Sequence, residues 1–362
     1  MQLKDRIESF HLLGEKIRIF LAGKAYRQEV WDNILQLAEQ ENAWFTRENI
    51  LEALRGISLW LDRDVLNKWC SAYLPLDMDN NKPLTIGVVM AGNIPLVGFH
   101  DFICVLLSGN ILHAKLSHSD LKLLPFLTNN LVEIEPKWKD KIVFVERLST
   151  SMEAVIATGS NNTARHFEYY FRNIPHIIRR NRNGLAILDG SETNEELNIL
   201  GKDIFGYFGL GCRNVSKLYV PINYNFDNFF RSIEPYKNVI HHNKYHSNYM
   251  YNRTIYLMDG KKFTDNGFLA VINNTAHSSP IAVLNFEEYG DLTNLSKELI
   301  QIQEQIQCVV TTSRIKKELQ SIKLPIVNLG ETQSPSLSDY ADGLDVMTFL
   351  LSLQKGISKN AN

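Results

Sequence analysis

Between Leu84 and Phe171 the chain repeats one pattern: a short apolar run, a tight turn, then a longer helical periodicity. Leu84–Met90 ends in Ala91-Gly92-Asn93. It is followed by the almost wholly apolar stretch Ile94–Leu107, with Pro95 in its first turn and Gly109 at its close. Ile111–Leu116 carries Lys115. Ser117 or Ser119 then offers a cap for a helix from about Asp120 to Val132. Ile142–Val145 and Ala154–Ala157 are further strand-like runs. The second leads into Thr158-Gly159-Ser160 and a helical pattern over Asn162–Phe171. Strands alternating with helices pair in parallel and bury both faces of the sheet, so the reading is α/β. Such sheets bind ligands at the carboxyl ends of their strands. Asn93, Lys115 and Gly159-Ser160 all fall at those ends.

The flanks differ in texture. Residues 1 to about 75 read as helices, with Ile7, Phe10, Leu13 and Ile17 on one face and Ile50, Leu54, Ile57 and Leu61 on another. Thr46 marks a helix start, and Asn80-Asn81-Lys82-Pro83 is a polar turn. After Gly184 comes a strand, Leu185–Leu188, and a helix whose start is marked by Ser191 and Thr193, followed by Glu195 and Glu196. Strands and helices then alternate through Lys217–Val220, Phe226–Ile233, Thr254–Leu257, Ile281–Leu284, Leu292–Gln307 and Val309–Thr312. An apolar helix, Val346–Leu353, follows. The expected divisions are 1–78, 79–184, 185–330 and 331–362. A formal net charge of −2 leaves no electrostatic footprint for nucleic acid. The most apolar stretch is too short to span a bilayer, and the charged N-terminus is not a signal peptide. Four widely spaced cysteines without a CxxC fit a reducing cytoplasm and no thiolate metal site.

Within Gly206-Tyr207-Phe208-Gly209-Leu210-Gly211-Cys212-Arg213 one thiol sits on a glycine-rich turn. Gly209 and Gly211 clear side chains from beside the sulfur, and Arg213 could favour thiolate. The competing reading is a small buried hydrophobe. Asn93 is either an amide donor to an oxyanion or a helix cap. Lys115 is either a phosphate or ribose contact or a solvated lysine. Gly159-Ser160 is a weak anion site at a helix start, without the GxGxxG or P-loop patterns. His241, His242 and His246 read as a polar loop in preference to a metal site. Arg179, Arg180 and Arg182 read as a solvated turn or a contact for an anionic carrier. His100 and His166 stay open as bases. No Asp or Glu lies between Phe171 and Leu188.

The order of these segments resembles the aldehyde dehydrogenase superfamily, and within it the acyl-CoA reductase family that includes the fatty acid reductase of bacterial luminescence. Gly92-Asn93-Ile94-Pro95, Ala157-Thr158-Gly159-Ser160 and Phe208-Gly209-Leu210-Gly211-Cys212-Arg213 carry the resemblance over roughly residues 80 to 350. It implies a Rossmann-type cofactor domain over 79–184 and an α/β catalytic domain over 185–330. The helical region 1–78 lies ahead of them, and the last segment, 331–362, returns to the cofactor domain. It implies Cys212 as the nucleophile forming a thioester and Asn93, with the Cys212 N–H, as oxyanion donors. Lys115, Ser117, His118, Gly159 and Ser160 would hold NADPH, with NADH possible. Oxidising relatives carry a deacylating Glu where this chain has Arg179 to Arg182, which favours reduction over hydrolysis. His118 stands where NAD-preferring relatives often carry Glu. The implied reaction is reduction of an acyl-CoA to an aldehyde, with a homo-oligomer left open as the assembly. The same cysteine could instead serve an acyltransferase, a thioesterase, or a reductase of an acyl phosphate.

Overall fold

The computed structural model describes residues 1–73, 82–319 and 324–359. The turn expected at Asn80-Asn81 and the division drawn between 78 and 79 lie outside them. The chain forms two compact units, one of Met1–Arg180 with Ser336–Asn362, the other of Asn181–Pro335.

In the first unit, helices α1 (Leu3–Leu21), α2 (Gln28–Glu41), α3 (Arg47–Trp60) and α4 (Arg63–Ser71) precede the sheet. Thr46 caps α3 by accepting from the Asn49 N–H. Then follow β1 (Thr85–Val89), α5 (Phe99–Leu107), β2 (Ile111–Lys115), α6 (Leu123–Ile134) and β3 (Ile142–Phe144). The unit's sheet is completed by β4 (Ala154–Thr158), α7 (Asn161–Tyr170) and β5 (His176–Arg179). The strands order as β3-β2-β1-β4-β5, all parallel. α1 lays Phe10 against Phe102 of α5 and against Trp138, at 6.1 and 5.5 Å between ring centroids. The C-terminal helix, Val346–Lys359, buries Val346, Met347 and Leu350 in the same core. Trp69 Nε1 donates to Tyr340 Oη at 3.1 Å, tying α4 to the segment before that helix.

In the second unit the order is β6 (Asn183–Ile187), α8 (Asn194–Phe205), β7 (Val215–Pro221), α9 (Asp227–Ser232), α10 (Asn243–Met258), β8 (Phe263–Asp265) and β9 (Ala270–Asn273). After these come β10 (Val283–Tyr289), α11 (Leu292–Gln301), β11 (Ile306–Thr311), α12 (Ser313–Glu318) and β12 (Ile326–Asn328). Its strands order as β12-β11-β6-β7-β10-β9-β8, parallel except for the β8–β9 pair at one edge. α8 begins on a full capping box: Thr193 accepts from the Glu196 N–H, and the Glu196 carboxylate accepts from the Thr193 N–H.

Four expectations need correction. Ile94–Leu107 is not one helix, because Leu96 adopts a left-handed φ of +56° and α5 starts only at Phe99. α6 starts at Leu123 without a side-chain cap; Ser117 Oγ accepts from the Ser119 N–H, closing a turn ahead of the helix. Thr254–Leu257 lies inside α10, where Tyr245, Tyr249, Asn252 and Tyr256 recur every three to four residues as the buried face. Within the Arg179–Arg182 stretch the reading as a solvated turn fails for Arg179, which ends β5 as a buried residue, while Arg180 and Asn181 are exposed.

Candidate active site

The first unit's sheet reverses its order between β1 and β4. The chain runs outward on one side as β1-β2-β3 and on the other as β4-β5. A crevice forms at such a switch point, beyond the carboxyl ends of the two strands. Gly92 and Asn93 follow β1, Lys115 ends β2 with Ser117 and His118 after it, and Gly159-Ser160 follows β4. The structure thus brings these residues to one edge of one sheet.

Close backbone approach shapes that edge. A Cβ on Gly92 would lie 2.5 Å from both Cβ and Oγ of Ser117, so the turns after β1 and β2 pack together only through a glycine. Met90 N–H donates to the Lys115 carbonyl at 3.0 Å and carries the strand pairing to the same point. Ser160 is the N-cap of α7. Its hydroxyl accepts from the Thr163 N–H at 3.2 Å, and a Cβ on Gly159 would come within 3.0 Å of the Thr163 side chain. A glycine followed by a capped helix start at the switch point is what a dinucleotide pyrophosphate needs. The residues present fit such a group.

Asn93 is exposed and stands well ahead of α5, whose N-cap is Gly98, so it does not cap that helix. The turn that carries it is held from outside. Leu96 N–H donates to Asp120 Oδ2 at 2.9 Å, while Leu96 itself is left-handed. Asp120 is buried; burial pushes its carboxyl up to about 6, against the pull of the Leu96 and Leu123 N–H groups.

The two histidines left open as bases separate. His100 Nε2 donates to the Leu337 carbonyl at 2.9 Å, and its ring packs among Trp60, Trp69 and Tyr340. Burial drives its pKa down, so it is a neutral core residue. His166 is exposed on α7.

Arg179 forms two hydrogen bonds to Asp101, at 2.6 and 2.9 Å, inside the first unit. Arg180 pairs at the surface with Glu168, and Arg182 reaches toward the Ile306 carbonyl, so the three arginines form no common patch. His241 ends a 3-10 turn, His242 caps α10 through Nδ1, and His246 lies within α10. Among the described residues no group of three His, Cys, Asp or Glu is placed to hold a metal.

In the second unit, Cys212 is the exposed one of four free thiols. Burial pushes Cys70 and Cys308 up to about 12 and raises Cys104 well above the ordinary thiol. Cys212 sits between α8 and β7, in a turn closed twice by the same two residues. Asn214 N–H donates to the Gly211 carbonyl at 3.0 Å, and Gly211 N–H donates to Asn214 Oδ1 at 2.8 Å. Just before it, Tyr207, Phe208 and Gly209 are all left-handed, with φ of +49°, +58° and +77°. For the two non-glycine residues that costs about 1–2 kcal/mol each. The Phe208 ring is held 4.4 Å from the His242 ring. Gly184 admits the backbone that leaves the turn: a Cβ there would lie 2.5 Å from the Arg213 carbonyl oxygen. Arg213 Nε donates to the Thr332 carbonyl at 2.5 Å, so this guanidinium is anchored to backbone. Sequence reasoning found the thiol but missed Asn214, Gly184 and Asp120, whose partners are set by the fold.

Residues 15–225, which hold Asn93, Lys115, Ser117, His118, Gly159, Ser160 and Cys212, match the acyl-CoA reductase (LuxC) family. The chain belongs to that family. Solved structures place this acyl-CoA reductase family member in the aldehyde dehydrogenase fold. The betaine aldehyde dehydrogenase of Staphylococcus aureus, solved with NAD+, superposes with a TM-score of 0.65 at 14% identity, over 91% of this chain and 75% of that one. Aldehyde dehydrogenase C of Pseudomonas syringae, a mutant solved with NAD+ and octanal, gives 0.65 at 12% identity, over 91% and 77%. HpcC of Thermus thermophilus gives 0.66 at 13% identity, over 98% and 80%. A comparison with curated proteins yields no match. No helix among the described residues is long and apolar enough to cross a membrane.

Proposed function

We propose that the protein reduces an acyl-CoA thioester to an aldehyde through an acyl group carried on Cys212. The observation that carries this is the contrast among the thiols: three are buried and held protonated, and Cys212 alone is exposed, on a strained turn. A nucleophilic cysteine must be accessible and fixed. Membership of the acyl-CoA reductase family supports the substrate class.

Cys212 Sγ attacks the acyl carbonyl. The new S–C bond forms, the bond to the CoA sulfur breaks, and the thiol proton leaves with CoA. Asn93 donates its side-chain amide to the oxyanion while the carbon is tetrahedral. Lys115, Ser117 and His118 would hold the ribose end of a nicotinamide dinucleotide. Gly159 and Ser160 would lie under its pyrophosphate. When bound in reduced form, that cofactor supplies the hydride that converts the acyl thioester to aldehyde. Cys212 is then the leaving group, departing as thiolate and taking a proton from solvent. An exposed imidazole at His118, in place of a carboxylate, removes a repulsion against a 2′-phosphate, which favours NADPH over NADH.

The test offers acyl-CoA of several chain lengths with NADPH or NADH, following nicotinamide absorbance and trapped aldehyde. Aldehyde formation that vanishes in Cys212→Ser, together with loss of the acyl adduct in the intact mass, is expected. Acyl-CoA consumption without nicotinamide oxidation would assign the cysteine to acyl transfer or hydrolysis instead. Reduction that survives Cys212→Ser would sink the proposal.

A further inference from the structure

The turn that carries Cys212 is shaped by one buried amide. Asn214 uses the whole of its side chain. Oδ1 accepts from the Gly211 N–H at 2.8 Å, and Nδ2 donates to the carbonyls of Asp203 and Gly206, each at 2.9 Å. Only 3% of the residue is exposed. The three partners bracket the segment: Asp203 and Gly206 mark the end of α8, and Gly211 directly precedes the thiol.

Between those anchors lie the three successive left-handed residues Tyr207, Phe208 and Gly209. An unclamped segment with two non-glycine residues in that region would relax toward ordinary backbone and carry the sulfur with it. The anchor at Asp203 is itself fixed. Its carboxylate, wholly buried, accepts from the Gly330 N–H, the Thr332 N–H and the Thr332 hydroxyl at 2.6, 3.1 and 2.8 Å. The Thr332 carbonyl in turn accepts from Arg213 Nε at 2.5 Å. Hydrogen bonds from Asn214 and Arg213 therefore tie the turn, on both sides of Cys212, to the end of α8 and to the segment after β12.

We propose that Asn214 is a positioning residue for the thiol of Cys212, holding the left-handed turn in the one conformation that presents the sulfur for acylation. The assignment rests on the reading of Cys212 as nucleophile. Asn214 touches neither substrate nor reacting atoms; it acts through Gly211 and Gly206. A side chain in that role requires both faces of an amide. Asp at this position would keep an acceptor for Gly211 N–H but would set an oxygen against two carbonyl oxygens.

The experiment compares wild type, Asn214→Ala and Asn214→Asp in three readouts. These are the single-turnover rate of acyl adduct formation by intact mass, the pH profile of Cys212 alkylation by iodoacetamide, and amide exchange across residues 206–214. Each rate is normalised to the folded fraction. Both variants are expected to acylate on the order of 10- to 100-fold more slowly, since small misplacements of a reacting group have effects of this size. Both should also show an altered alkylation profile, and exchange should rise over 206–214 without a matching rise in the first unit. Normalised rates within about twofold of wild type, or slower acylation without local exchange, would overturn the proposal. Should Asn214→Ala not fold, Asn214→Ser replaces it in the same comparison. If wild type forms no acyl adduct at all, the reductase reading fails, while alkylation and exchange still decide the role of Asn214.

Discussion

Arg179, the last residue of β5, meets Asp101 of α5 through two hydrogen bonds of 2.6 and 2.9 Å, with both side chains less than a tenth exposed. Where oxidising relatives carry a deacylating Glu, this chain has a buried ion pair. Removing one partner strands the other charge in the interior. Asp101→Leu should therefore cost about 3–5 kcal/mol, while the double variant Asp101→Leu/Arg179→Met should recover most of that loss. Urea unfolding of wild type, Asp101→Leu, Arg179→Met and the double variant checks it. Equal destabilisation of single and double variants would show that packing, not the pair, dominates.

Gly92 is the contact between the turns after β1 and β2. Adding one methyl group brings it to 2.5 Å from Ser117, so in Gly92→Ala the two turns must part. We expect weaker cofactor binding, by about tenfold or more, and a loss of stability on the order of 1–3 kcal/mol, the usual cost of overpacking. Ser117→Gly in the same chain should relieve the contact and restore much of the stability. Titration with reduced nicotinamide dinucleotide, by fluorescence, reads the first effect and urea unfolding the second; failure of Ser117→Gly to restore stability would refute the contact as its cause.

Asp120 predicts a pH dependence. Its carboxyl is held at about 6 by burial, against 3.8 when exposed. The folded state thus binds the extra proton between those values. This group's contribution is most favourable below about pH 4 and is lost as pH rises through about 6; above that the buried charge costs on the order of 3 kcal/mol. In Asp120→Asn an oxygen can still accept from the Leu96 N–H, so the variant should gain stability at pH 8 and gain little near pH 4. Unfolding free energies across that range test the sign, and a gain independent of pH would contradict it.

His118 tests the cofactor reading. It is exposed just past β2. His118→Glu would place a carboxylate where the 2′-phosphate of NADPH is proposed to lie, and like charges at short range disfavour each other. The ratio of kcat/KM for NADPH to that for NADH should fall by about tenfold, with kcat for NADH little changed. An unchanged ratio would remove His118 from that subsite.

How much of this was legible in the sequence follows from the range of the forces involved. The strand-turn-helix rhythm, the capping box of Thr193 and Glu196 and the thiol on its glycine turn are written in neighbouring residues. Each rests on periodicity or on a hydrogen bond spanning only a few positions. The left-handed Leu96, which delays the start of the expected helix to Phe99, depends on Asp120, 24 residues away. The burial of Arg179, read as a solvated turn, depends on Asp101, 78 residues away. The path of the chain past Cys212 depends on Asn214 reaching back to Asp203 and on Gly184 leaving room. Local pattern names the residue types that can do this chemistry. Their surroundings come from packing and hydrogen bonds between distant segments, which exist only once the sheets have formed.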